Sequence, residues 1–77
     1  MTAQYDYVIK LNNFMQCQRL QAVAQECVDV CVIDSNGSTA NAKSLLSLMS
    51  LDYTHKVRII ASTAEEIFAI RNALQLK

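Results

Sequence analysis

Asn41-Ala42-Lys43-Ser44-Leu45-Leu46-Ser47-Leu48-Met49-Ser50-Leu51 is the stretch on which the reading of this chain turns. A serine just ahead of an apolar run is a helix start, because its hydroxyl accepts a bond from a first-turn amide that has no partner inside the helix. Ser44 is therefore read as the opening of a helix. Leu45, Leu48 and Leu51 recur at a spacing of three and form one stripe directed at a core, while Leu46 and Met49 lie to the side.

The sequence on either side supplies the elements that this helix must pack against. Upstream, Val28, Val30 and Val32 alternate with Asp29, Cys31 and Ile33, a strand rich in β-branched residues. It runs into Ser35-Asn36-Gly37-Ser38, where Asn-Gly signals a hairpin because both residues tolerate positive φ. A short return strand through Thr39 and Ala40 must follow. Further upstream, Leu20, Val23, Ala24 and Cys27 share one helical face from Gln16 onward, with Gln18, Gln21 and Gln25 assigned to water. Tyr5, Tyr7, Ile9 and Leu11 alternate with Asp6, Val8 and Lys10 as a first strand, ended by Asn12 and Asn13. Downstream, Lys56 to Ala61 reads as the last strand. Thr63-Ala64-Glu65-Glu66 has capping-box spacing, with the Glu66 carboxylate expected to reach back to an unpaired amide of a final helix that buries Ile67, Ile70 and Leu74.

The element order is βαββαβα, one domain over residues 1–77. Two strands joined through a helix are parallel with a right-handed crossover, which leaves room for the fourth strand to insert antiparallel between them. The expectation is an α+β, two-layer open-faced sandwich: a mostly antiparallel four-stranded sheet with three helices on one face. Such an arrangement also brings the start of the fourth strand beside the end of the first, so His55 is expected near the loop from Asn12 to Cys17.

Composition narrows the classes of function. An apolar content of 52% in 77 residues is ample for one core, and zero formal net charge with a pI near 6.5 gives no global field to collect nucleic acid or acidic lipid. Cys17, Cys27 and Cys31 are an odd set without Cys-x-x-Cys spacing, which fits reduced thiols and implies no zinc site. The first residues lack a basic region followed by an apolar run, and no segment approaches a membrane span, so a cytoplasmic protein is expected. No paired carboxylates, glycine-rich phosphate loop or nucleophile triad is present, and no cofactor is implied.

The run Asn41-Ala42-Lys43-Ser44 followed by Leu48-Met49-Ser50-Leu51 resembles the regulatory-serine segment of the bacterial phosphocarrier HPr family, and the element order resembles its open-faced sandwich over nearly the whole chain. The resemblance places Ser44 where that family is phosphorylated for regulation. It also lays the family's phosphoacceptor pattern, Gly-Leu-His-Ala-Arg-Pro, on Phe14-Met15-Gln16-Cys17-Gln18-Arg19. Gln16 thus stands in place of the histidine, and its amide nitrogen has a delocalised lone pair that cannot attack phosphorus. Gln18 stands in place of the phosphate-neutralising arginine, with Arg19 the nearest basic substitute. Phe14 and Arg19 replace the family's glycine and proline. Glutamine at the histidine position is also the mark of the catabolite-repression relatives of HPr, which keep the regulatory serine and act by binding.

What the resemblance implies is a non-enzymatic regulatory or interaction protein with a degenerate phosphoacceptor site at Gln16, Cys17, Gln18 and Arg19. Ser44 is its regulatory phosphorylation site and Lys43, Leu45, Leu46 and Met49 its partner-binding surface. The partners implied are proteins, an HPr kinase/phosphorylase or a transcriptional regulator, with neither nucleic acid nor membrane, and the oligomeric state is left open. A plain helix cap at Ser44 stands beside the regulatory role as an equal alternative. Two further alternatives are a phosphocarrier with a displaced acceptor at His55, and a thiol sensor at Cys17, where a first helical turn would stabilise a thiolate.

Overall fold

The structure, a computed structural model, describes residues 4–75. Its elements follow the expected order: β1 (Tyr5–Ile9), α1 (Phe14–Ala24), β2 (Val30–Ile33), β3 (Thr39–Asn41), α2 (Leu45–Met49), β4 (Val57–Ala61) and α3 (Ala64–Gln75). The sheet runs β1-β4-β2-β3 with every neighbouring pair antiparallel. β1 and β2 are therefore parallel, and β4 separates them as expected. No helix among the described residues is long and apolar enough to cross a membrane.

Alternation along β4 explains its central place. Val57, Ile59 and Ala61 are almost fully buried beneath the helices, whereas Arg58 and Ile60 turn to the open face. Ile59 is opposite Tyr7 on one side and Val32 on the other, so one side chain joins three strands under the helical layer. Leu20 of α1, Leu48 of α2 and Ile70 of α3 reach the same core with no exposed surface. Arg58 and Asp6 meet on the open side at 3.7 Å, an exposed pair worth little to stability.

Three local expectations are corrected and a fourth is extended. Val28 lies outside β2 and is 81% exposed, because β4 ends at Ala61, opposite Val30, and offers no strand partner further along. Helix α1 stops at Ala24, so the buried Cys27 belongs to the following turn. Gln21 and Gln25 do not simply face water: both side-chain amides donate to the Lys43 carbonyl, at 3.3 and 2.8 Å, tying α1 to the β3–α2 connection. The capping box at α3 carries a further bond. Thr63 Oγ1 accepts from the Glu66 amide at 3.1 Å, and the Glu66 carboxylate, which reaches back to the Ser62 amide and the Thr63 side chain, also accepts the Val28 amide at 2.7 Å.

The β2–β3 hairpin shows how a carboxylate organises a turn. Gly37 donates to the Asp34 carbonyl and has φ +85°, the only positive φ among the described residues, so Asn36 does not share that conformation. This combination fits a tight turn closed by a glycine bulge. Asp34 is 7% exposed and accepts amide bonds from Asn36, Ser38 and Asp52 at 2.9–3.0 Å. The turn is thereby bound to the α2–β4 loop. These bonds, that from Asp52 foremost, hold the Asp34 carboxyl below its ordinary range, as the Thr54 hydroxyl does for Asp52 and the Val28 amide for Glu66.

Two outcomes follow from this packing. Ile59→Ala should cost about 2–5 kcal/mol, read as a lowered urea midpoint with unchanged slope. All three lowered carboxyls bind fewer protons folded than unfolded in acid, so their stabilisation is complete above the ordinary carboxylate pKa and is lost as pH falls through the lower folded values. Urea midpoints should hold from pH 7 to about 5 and fall below about 4, with Asp34→Asn less stable at neutral pH and showing a shallower acid limb.

Candidate functional site

The β1–α1 loop and the first turn of α1 build one side of the site. Asn13 is the N-cap, its side chain accepting from the Gln16 amide at 3.0 Å, while the Gln16 side-chain carbonyl accepts from the Asn12 amide at 2.5 Å. The two amide side chains cap the helix start reciprocally, a variant of the capping box with Asn and Gln as its members. Gln16 therefore uses its acceptor atom to hold the loop. The residues at positions 14 and 15 have no such duty: Phe14 and Met15 are 48% and 57% exposed.

Helix α2 forms the other side. Ser44 is its N-cap, accepting from the Ser47 amide at a long 3.4 Å, so the capping role read from the sequence is present in the geometry. Leu48 and Leu51 are buried and Leu45 packs partly against the core, as the stripe requires. Leu46 and Met49 stand out, with Leu46 81% exposed. Lys43 is directed elsewhere: its ammonium donates to the Val28 carbonyl at 3.2 Å and its amide to Asn41 Oδ1 at 2.9 Å. Its charge is thus committed to the α1–β2 loop.

Between these two sides lies a half-open cleft of about 320 Å³, bounded by Leu11, Phe14, Cys17, Met49 and Tyr53, with Lys10 on its rim. Tyr53 is the residue that the sequence reading missed. Its hydroxyl donates a short hydrogen bond to the Leu48 carbonyl and lies against the Cys17 thiol, so it joins α1 to the end of α2. Burial raises the Tyr53 phenol far above its ordinary value, with the neighbouring Cys17 adding to the shift. The only available signal was a tyrosine in the polar stretch after an apolar helix.

The remaining candidates separate clearly. Cys17 is 5% exposed, and burial pushes its thiol up, only partly opposed by the hydrogen bond with Tyr53. The expected thiolate at a helix start is not favoured, since Cys17 falls on the buried face of α1 and desolvation outweighs the dipole. Gln18 is exposed and Arg19 half-buried; in α1, Arg19 follows Gln16 by three positions and shares its side of the helix, whereas Gln18, two positions on, does not. His55 is exposed and does not line the cleft; the residue of its loop that does is Tyr53. Among the described residues, no group of three or more His, Cys, Asp or Glu side chains is placed to hold a metal.

Thiol chemistry checks this placement. Cys31, half-buried on the open sheet face, should react with a thiol-exchange reagent first, while Cys17 and Cys27 react only at rates set by opening of the core and jump to full reactivity in denaturant. No protein-family model matches the sequence, and no curated protein matches it.

Proposed function

We propose that this chain is a non-enzymatic, HPr-like interaction protein related to the phosphoenolpyruvate-dependent sugar phosphotransferase system. It lacks histidine phosphotransfer, docks partner proteins through the face made by the first turn of α1 and by α2, and is regulated by phosphorylation of Ser44. The observation that carries this reading is the set of uncovered apolar side chains on those two packed helices: Leu46 at 81%, Met15 at 57%, Met49 at 54% and Phe14 at 48% exposure. Apolar side chains grouped in this way on a small domain mark a contact surface, and methionine adapts to varied partner shapes.

Charge placement and the caps support the same face. The sequence that forms this face, residues 10–25 and 44–51, carries Lys10 and Arg19 and no Asp or Glu, although the whole chain is neutral, which suits a partner with carboxylates around an apolar anchor. Gln16 holds the loop through its carbonyl and has no nucleophilic nitrogen. The Ser44 hydroxyl makes only the 3.4 Å bond to Ser47, so a phosphate there gives up little and gains acceptor oxygens for first-turn amides.

Incubation with phosphoenolpyruvate and the first enzyme of the phosphotransferase system should leave the chain unlabelled. Stoichiometric label would overturn the reading, and its loss in His55→Ala would assign displaced phosphocarrier chemistry. An HPr kinase should add one phosphate, seen by intact mass and abolished in Ser44→Ala, and Leu46→Glu should slow that reaction by about tenfold or more if Leu46 is a docking anchor.

A further inference from the structure

The cleft beside the proposed docking face has a chemistry of its own. Its floor is Cys17 and Tyr53, whose polar tips are turned toward each other and to the Leu48 carbonyl, leaving apolar surface toward the opening. Leu11, 2% exposed, closes the back, and the large side chains of Phe14 and Met49 stand about half exposed at the mouth. On the rim, the Lys10 ammonium donates to the Tyr53 carbonyl at 2.9 Å, which occupies one of its three hydrogens. Among the described residues Lys10 is the only charged one lining this cleft, and Asn12 and Asn13 complete its polar side.

Two other clefts lack this pairing of apolar walls with a single cation. That between the end of α1 and the start of α3 is lined by Glu26, Glu65 and Glu66, and that on the open sheet face mixes Asp34 with Lys56 and Arg58. At about 320 Å³, the first cleft lies at the lower end of the size range of small-molecule sites, which join an apolar wall to a few placed polar groups. A phenyl ring and a thioether lining the same opening both make favourable contacts with a flat ring. A lone ammonium at the edge complements one negative charge.

From these features we propose that the cleft binds a small aromatic carboxylate, its ring against Phe14 and Met49 over the Cys17–Tyr53 floor and its carboxylate on Lys10. This goes beyond the docking role and stands without it, since no partner protein is required. A bound ring covers Phe14 and Met49, so ligand and docking partner compete for the same two side chains.

The test is a titration of the full chain, followed by amide NMR shifts, with two probes that share a ring and differ in charge: indole-3-acetate and tryptamine. Indole-3-acetate should shift amides of Lys10 to Phe14, Met49 and Tyr53 along one saturating curve, with tryptamine weaker by about tenfold or more. Lys10→Gln, a change at an exposed side chain, should remove that preference and leave tryptamine unaffected, whereas Met49→Gln should weaken both. No saturation by about 10 mM probe, shifts centred elsewhere, equal affinity for the two probes, or an unchanged preference in Lys10→Gln would each overturn the proposal. Loss of kinase docking with intact probe binding would remove the docking role alone.

Discussion

Two-sided pairing of β4 is the constraint on which the rest of the molecule depends. Because β4 joins β1 on one side and β2 on the other, the two crossing connections must lie over the same face, and the helices gather above Ile59. The pairing also fixes the site. β1 delivers the loop that starts α1 at one end of the sheet, and the chain entering β4 passes the same end carrying Tyr53. The cleft between α1 and α2 is thus a product of strand order, and its floor is set by one tyrosine bond to the end of α2.

Polar side chains close what the backbone leaves open, and much of that work falls to residues that first attract attention as chemistry. Gln16 caps α1 with Asn13, Ser44 caps α2, Thr63 caps α3 and Asp34 gathers three amides around a turn. In a domain of this size an unsatisfied buried amide is a large fraction of total stability. Gln16 is a case in point: its side-chain carbonyl holds the Asn12 amide while its own amide is held by Asn13, so its polar atoms serve the start of α1.

Where local chemistry decides the outcome, the sequence was legible. Period-two alternation located β1, β2 and β4, apolar spacing located α1 and α3, and Ser44 located the start of α2. The element order then gave the sheet topology. Non-local bonds decided the rest. Val28 continues the β-branched alternation of its strand, and only the end of β4 at Ala61 and the pull of Glu66 remove it from the sheet. Gln21 and Gln25 look solvated because their acceptor, the Lys43 carbonyl, is a backbone atom of another element. Tyr53 was silent for the same reason, and His55, which carried the more suggestive chemistry, was read in its stead.

The bond between Glu66 and the Val28 amide also bears on how the protein comes to be made. The loop after α1 is synthesised early, yet the acceptor for one of its amides belongs to the last helix, and the strand that joins β1 to β2 is the last strand. A chain ending before Val57 has neither the central strand nor the carboxylate, so β1, α1 and the β2–β3 hairpin have nothing to unite them. Folding of this domain is expected to wait for the final quarter of its sequence and to proceed in one cooperative step once β4 and α3 are free.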